Sequence, residues 1–210
     1  MENSKMAENN YVCLSGVISE ECVFSHEVYG EGFYIFKTEV KRLSENEDIL
    51  PVTVSERLID INSLKRGMTV NVMGQMRSYN HYSSKKNKLI LTTFAKEIEI
   101  GEDILANPNE IFLNGFICKT PVYRTTPFGR EITDLLIAVN RSYGKSDYIP
   151  CIAWGRNAKF AGGLEVGNNI EIWGRIQSRN YQKKLENDEI EERTAYEVSI
   201  SKIDLIDRRW

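Results

Sequence analysis

Histidine is almost absent from this sequence: His26 and His81 are the only two in 210 residues. The four cysteines, Cys13, Cys22, Cys118 and Cys151, stand far apart, with no Cys-x-x-Cys pair. Metal ligation needs such groups at close spacing, so no metal site is expected and the cysteines read as structural thiols. Histidine paired with serine or cysteine at nucleophile spacing is missing, as is a Gly-x-x-x-x-Gly-Lys-Ser/Thr phosphate loop. No carboxylate cluster sits beside basic residues as a metal-dependent nuclease needs. Catalysis and bound cofactors are therefore not expected. Long apolar runs are also lacking: none approaches the roughly 18 residues of a membrane span. The amino terminus, MENSKMAENN, has no charged-then-apolar layout of a secretory signal. A cytoplasmic protein with no membrane partner is expected.

Nor is there a positive net charge; the total is −3. That argues at first against a polyanionic partner, but the distribution matters more than the sum. Residues 1–108 hold 12 Lys and Arg against 16 Asp and Glu, whereas residues 109–210 hold 15 against 14. Five of those 14 acids lie in one stretch, LENDEIEE, which reads as a solvated loop; without it the second half stands at +6. Charges farther apart than a Debye length are largely screened, so a local basic surface can attract phosphates on an acidic chain. Hydrophobic residues make up 41% and charged residues 27%, ordinary globular usage that permits a buried core.

The chain repeats itself at an offset of about 100 residues. Val12-Cys-Leu-Ser-Gly16-Val-Ile matches Ile111-Phe-Leu-Asn-Gly115-Phe-Ile, and Ile49-Leu-Pro51-Val matches Tyr148-Ile-Pro150-Cys. Gly67-Met-Thr-Val-Asn-Val-Met-Gly74-Gln-Met-Arg-Ser78 matches Gly167-Asn-Asn-Ile-Glu-Ile-Trp-Gly174-Arg-Ile-Gln-Ser178. Two modules follow, 1–106 and 107–210, joined through the turn signal Asn107-Pro108-Asn109.

In the second module, strand-like runs cover 111–119, 132–141, 147–154, 169–178 and 194–203. RNAKFAGGLEVG, between the third and fourth, has the pattern of a helix ending in glycine, and ERLIDINSLKRG fills the same slot in the first module. Five strands with a helix between the third and fourth is the layout of an OB-fold. The expected architecture is thus all-β: two tandem OB-folds, each a five-stranded Greek-key barrel. Gly16 and Gly115 fall mid-strand, where a small barrel must bend sharply.

Alternation assigns faces, because residues two apart in a strand share a side. In the third strand of the second module Ile149, Cys151 and Ala153 suit the core, which leaves Tyr148, Pro150, Ile152 and Trp154 on the other side. In the fourth, Ile170, Ile172 and Ile176 point one way and Trp173, Arg175, Gln177, Arg179 and Tyr181 the other. A face that mixes guanidinium groups, amides and flat rings offers what unstacked nucleic acid requires: contacts for phosphates and base edges, and surfaces for base faces. A single-stranded nucleic acid, DNA or RNA, is the expected partner. Lys183 and Lys184 flank the loop between strands four and five, which this fold uses for ligands, and read equally as solvated hairpin residues.

The second module resembles the bacterial single-stranded DNA-binding proteins, with primosomal replication-restart proteins close behind. The resemblance rests on Leu113-Asn-Gly115, Pro121-Val-Tyr-Arg124-Thr-Thr-Pro127-Phe-Gly129, Leu136-Ile-Ala138-Val-Asn-Arg141, Ile152-Ala-Trp154-Gly155-Arg-Asn-Ala158, Gly174-Arg-Ile-Gln-Ser-Arg179-Asn-Tyr181 and Arg193-Thr-Ala-Tyr-Glu-Val198. It implies base stacking on Tyr143, Tyr148, Trp154 and Tyr181, and backbone contacts from Arg124, Arg141, Arg156 and Arg179. It also implies a role in replication, recombination or repair, and a homodimer that brings four barrels together. Trp173 has no ring counterpart in that family and is assigned to packing between barrels or subunits. The sequence ends at Ile-Asp-Arg-Arg-Trp210 without the family's Gly/Pro-rich tail and acidic tip, so recruitment of enzymes through such a tip is not expected.

The first module resembles the family only in outline. Ile49 and Ser55 stand where the second has Tyr148 and Trp154, so its stacking platform is expected to be mostly lost. Gln75, Arg77, Tyr79, His81 and the loop 82–88 remain, either as an auxiliary phosphate-tracking surface or as part of a plain partner barrel. The acidic first half keeps one alternative alive: a scaffold of the replication or restart machinery that touches nucleic acid weakly.

Overall fold

The computed structural model describes residues 9–44, 46–83, 86–184 and 190–206, with the side chains of 80–88 and 183–184 outside that description. The strands are β1 (Asn10–Val28), β2 (Glu31–Lys41), β3 (Glu47–Ser55), β4 (Thr69–Ser83) and β5 (Lys86–Gly101), then β6 (Asn109–Thr125), β7 (Glu131–Asn140), β8 (Ser146–Trp154), β9 (Asn169–Lys184) and β10 (Ile190–Leu205). One helix, α1 (Arg156–Gly162), joins β8 to β9. Among the described residues, no helix is long and apolar enough to cross a membrane.

Each half closes on itself. β1 pairs with both β2 and β4, β2 with β3, β4 with β5, and a parallel contact of Val52 with Thr93 shuts the ring between β3 and β5. The second half repeats the pattern, ending in the parallel pair Cys151 and Val198 between β8 and β10. Closure removes the unpaired strand edges that an open sheet exposes. The barrel interiors hold the alternate residues expected to be apolar: Ile149, Cys151, Ala153, Ile170, Ile172 and Ile176 are all buried. β6 turns from β9 to β7 at Gly115, where a Cβ would lie 2.6 Å from the Ala138 carbonyl oxygen, so only glycine allows the strands this approach.

Two local expectations are corrected. The segment ERLIDINSLKRG is not an α-helix; it makes one 3₁₀ turn at Ile61–Ser63. Asp60 explains this, because its carboxylate accepts the Asn62 backbone N–H at 3.0 Å and thereby favours a tight turn over a helical ladder. Leu64 then plugs the barrel where a helix face would have done so. Strands are also longer than the apolar pattern marks: β6 continues to Thr125 and β9 to Lys184. These arms project as hairpins, where solvent on both faces erases the alternation that reveals a half-buried strand.

The two barrels are joined about an approximate twofold axis. β1 and β6 pair antiparallel, centred on Val12 opposite Ile111, which are equivalent positions of the two repeats. On one side of the axis Asp48 is fully buried and accepts Arg42 from its own barrel at 2.6 and 2.7 Å. From the other barrel it takes the Ser178 backbone N–H at 2.7 Å and Arg175 at 3.3 Å. On the other side the buried Asp147 faces its own Arg141 at 3.4 Å and takes the Ser78 N–H at 2.7 Å and Arg77 at 3.0 Å from the first barrel. The same motif is thus exchanged in both directions.

Removing one partner from a buried ion pair leaves uncompensated charge and costs about 3–5 kcal/mol. Asp147→Ala and Asp48→Ala are each expected to lower the unfolding free energy by that amount in urea titrations. A loss below about 1 kcal/mol from both, the range of exposed pairs, would overturn the structural weight given to this joint.

Candidate nucleic-acid interface

The outer surface of the second barrel is formed in part by the adjacent strands β8, β10 and β9. On β8, Tyr148 and Trp154 point outward on one face, six residues apart, or about 20 Å along an extended strand. Tyr148 is 47% exposed, and Trp154 is half-buried beside its cross-strand partner Ile132. The indole Nε1 donates to Ser199 Oγ on β10 at 3.2 Å, which fixes the ring plane against the neighbouring strand. On β9, Arg179 and Tyr181 are exposed, with the guanidinium carbon 5.7 Å from the tyrosine ring centroid. A cation over a ring is worth about 0.5–1 kcal/mol at an exposed site, which biases both side chains toward one arrangement and lowers the ordering cost of binding.

Tyr143 is 98% exposed at the turn between β7 and β8. Its φ of 62° is the left-handed region, unusual for a tyrosine, and it presents the ring away from the barrel. Arg124, on the β6 arm, bonds Asp134 at 2.7 Å and remains half-exposed; that hydrogen bond raises its pKa further. Arg156 is exposed at the first position of α1. The backbone of Lys183 and Lys184 lies in β9 opposite Glu191 and Ile190, and their side chains are outside the described residues.

Two of the arginines are drawn elsewhere. Arg141 and Arg175 have their guanidinium groups on the buried aspartates of the joint. Burial, followed by repulsion from Arg42, lowers the Arg175 pKa, while Asp48 opposes the shift. Arg175 also donates to Gln177, which in turn donates to Glu197 at 2.7 Å, so this part of the β9 face is internally satisfied. Strand alternation placed Arg175 on the outward side correctly, but could not see that the other barrel stands there. Trp173 packs on Phe112 at 5.0 Å between centroids, with Lys202 4.1 Å from its ring.

Sequence reasoning missed Asp48 and Asp147 as the joint, although both repeats carry them at the same place beside Pro51 and Pro150. It also missed a line of rings on the first barrel: His26, Phe33 and Phe94 succeed one another at centroid distances of 5.0 and 5.8 Å. The signal was a ring on a different strand from the one compared.

Comparisons with known proteins bear on the same barrel. Residues 108–206 match the model of the single-strand binding protein family. Single-stranded DNA-binding protein 1 of Staphylococcus aureus (strain COL) is 35% identical over 83 residues, which cover 36% of this chain and 50% of the relative. Single-stranded DNA-binding protein A of Bacillus subtilis (strain 168) is 34% identical over 83 residues, covering 36% of this chain and 48% of the relative. The chain therefore spans about half the length of the curated relatives it matches. Among solved structures, the wild-type single-stranded DNA binding protein from Thermus aquaticus superposes with a TM-score of 0.75 at 18% identity. That match covers 95% of this chain and 93% of the other, so the fold is shared across both barrels. The similarity in sequence to the single-strand binding protein family is thus a property of the second barrel, residues 108–206, while the similarity in fold extends over both barrels.

Proposed function

We propose that this protein binds single-stranded DNA without strong sequence preference and without catalysis, serving replication, recombination or repair in the cytoplasm. The observation that carries this reading is the outward row of Tyr148 and Trp154 on β8, with the ordered Arg179–Tyr181 pair nearby on β9. Rings accept any base by its π-face, and the solvent-facing guanidinium groups of Arg156 and Arg179, with that of Arg124 beside Asp134, supply phosphate contacts. Tyr143 extends the ring set at the turn, and Lys183 and Lys184 are assigned to the basic set from the sequence. Arg141 and Arg175 are excluded from the contact set and assigned to holding the barrels together. Single-stranded RNA offers the same π-faces and phosphates, and competition by oligo(U) measures that share of the binding.

We also propose a homodimer with four barrels. Its support is the set of partly exposed apolar side chains on adjacent strands, Met73 on β4, Tyr11 on β1, Phe112 on β6 and Trp173 on β9. The register aligns Phe112 with both Tyr11 and Trp173. A second copy would cover these side chains by the same twofold logic that joins the barrels.

Oligo(dT) is expected to quench tryptophan fluorescence, and Trp154→Ala or Tyr148→Ala to weaken its binding by about 1–3 kcal/mol each. Absence of binding by the intact protein at low salt would sink the reading. Arg179→Ala should flatten the plot of log affinity against log salt by about 0.7, the release expected for one phosphate on a single strand. Arg175→Ala should instead lower stability with little change in that slope. Light scattering is expected to return twice the mass of one chain, and Phe112→Glu to return a single chain.

A further inference from the structure

We propose that the first barrel carries its own base-stacking site, built from His26, Phe33 and Phe94, on a strand path that continues from the second barrel. This rests on the reading that the second barrel binds single-stranded DNA, and extends it to residues outside the family-matched segment.

The two barrels correspond strand for strand. On β8 and β10, Trp154 donates to Ser199, whose parallel partner on β8 is Ile152. By the repeat, Ser55 of β3 corresponds to Trp154. Phe94 of β5 corresponds to Ser199: Phe94 pairs with Thr53 on β3 and with Gln75 on β4, as Ser199 pairs with Ile152 on β8 and with Arg175 on β9. The close approaches agree, since a Cβ at Gly74 would meet the Phe94 carbonyl oxygen and one at Gly174 would meet that of Ser199. Ring and serine have therefore exchanged strands. The second barrel sets tryptophan on its third strand and serine on its fifth; the first sets serine on its third and phenylalanine on its fifth.

The platform expected to be lost from the first barrel has thus moved by one strand. Phe33, the cross-strand partner of Ser55, adds a second ring, where the second barrel has Ile132. His26, opposite Phe33, lies 13° from parallel to it and adds a third. Ordinary packing does not call for these rings here. The interior is already filled by Phe36, Val52, Val54 and Leu64, whereas His26 is exposed and Phe33 and Phe94 are only partly covered.

The charge around the two sites differs in sign. Residues 20–57 carry four Lys and Arg against nine Asp and Glu, and the equivalent 119–156 carry six against three. Of those four cations, Lys37 pairs with Glu20 at 2.9 Å, Arg57 with Glu31 at 3.3 Å and Arg42 with Asp48 at the joint. Binding at the first barrel therefore works through rings and releases few counterions. A strand long enough to reach both barrels gains affinity there without a steeper salt dependence.

The test uses the full chain, with dT8 as an oligonucleotide of about one barrel's site size and dT35 as one that spans both. In Phe33→Ala/Phe94→Ala, affinity for dT35 should fall by about fivefold to a hundredfold, with dT8 affinity and the salt slope for dT35 unchanged. Wild-type affinity for dT35 in this variant overturns the inference and leaves the second-barrel reading standing, whereas a wild-type protein that binds neither oligonucleotide overturns both. Photocrosslinking of 5-iodouracil-substituted dT35 to the unmodified protein avoids any folding defect. Adducts at His26, Phe33 or Phe94 support the site, and adducts confined to residues 109–206 overturn it.

Discussion

Two aspartates with no access to water, Asp48 and Asp147, each receive arginines from both halves of the chain together with a backbone N–H from across the boundary. A carboxylate in that setting is stable only while its donors stay in place, since desolvation is offset by several charge-assisted bonds at once. Each aspartate therefore fixes a separation and an angle between the barrels. The β1–β6 ladder alone would leave a hinge; anchors on both sides of the axis remove it. The positions of Tyr148 and of β9 depend on this, because the Tyr148 N–H donates to Ser78 of the first barrel and Ser178 lies against Asp48.

The joint also divides the arginines into two populations. Arg42, Arg77, Arg141 and Arg175 are committed to buried carboxylates and hold the assembly. Arg124, Arg156 and Arg179 lie toward solvent, where a phosphate can reach them. A bare count of basic residues overstates the charge available to a polyanion, because the committed arginines already have partners. The same accounting clarifies the acidic first half: one of its carboxylates, Asp48, lies inside the joint and does not face an approaching strand.

Between the barrels, the exchange of Trp154 and Ser199 for Ser55 and Phe94 keeps a ring on the outer surface while changing the strand that bears it. A flat hydrophobic side chain on the outside of a closed barrel has no core to fill, so its place is constrained by the surface it presents more than by the strand it occupies. The barrels then differ chiefly in charge: the second presents its rings among basic residues, the first on an acidic ground.

Much of this was legible in the chain itself. The duplicated segments, the strand periodicity and the buried rows at 149, 151, 153 and 170, 172, 176 follow from apolar spacing, which reports burial directly because burial is what creates it. The outward placement of Tyr148, Trp154, Arg179 and Tyr181 follows from the same alternation. Residues 56–67 misled, because a local cap at Asp60 outweighed the apolar pattern, and the hairpin arms were shortened, because solvent on both sides leaves no pattern to read. What only the tertiary structure decided is the employment of each polar and aromatic group. Arg175 finds Asp48 across 127 positions of sequence, and Phe94 meets Phe33 through strand pairing rather than proximity in the chain. A side chain's partner is set by which strands adjoin, and no local pattern in the chain encodes that adjacency.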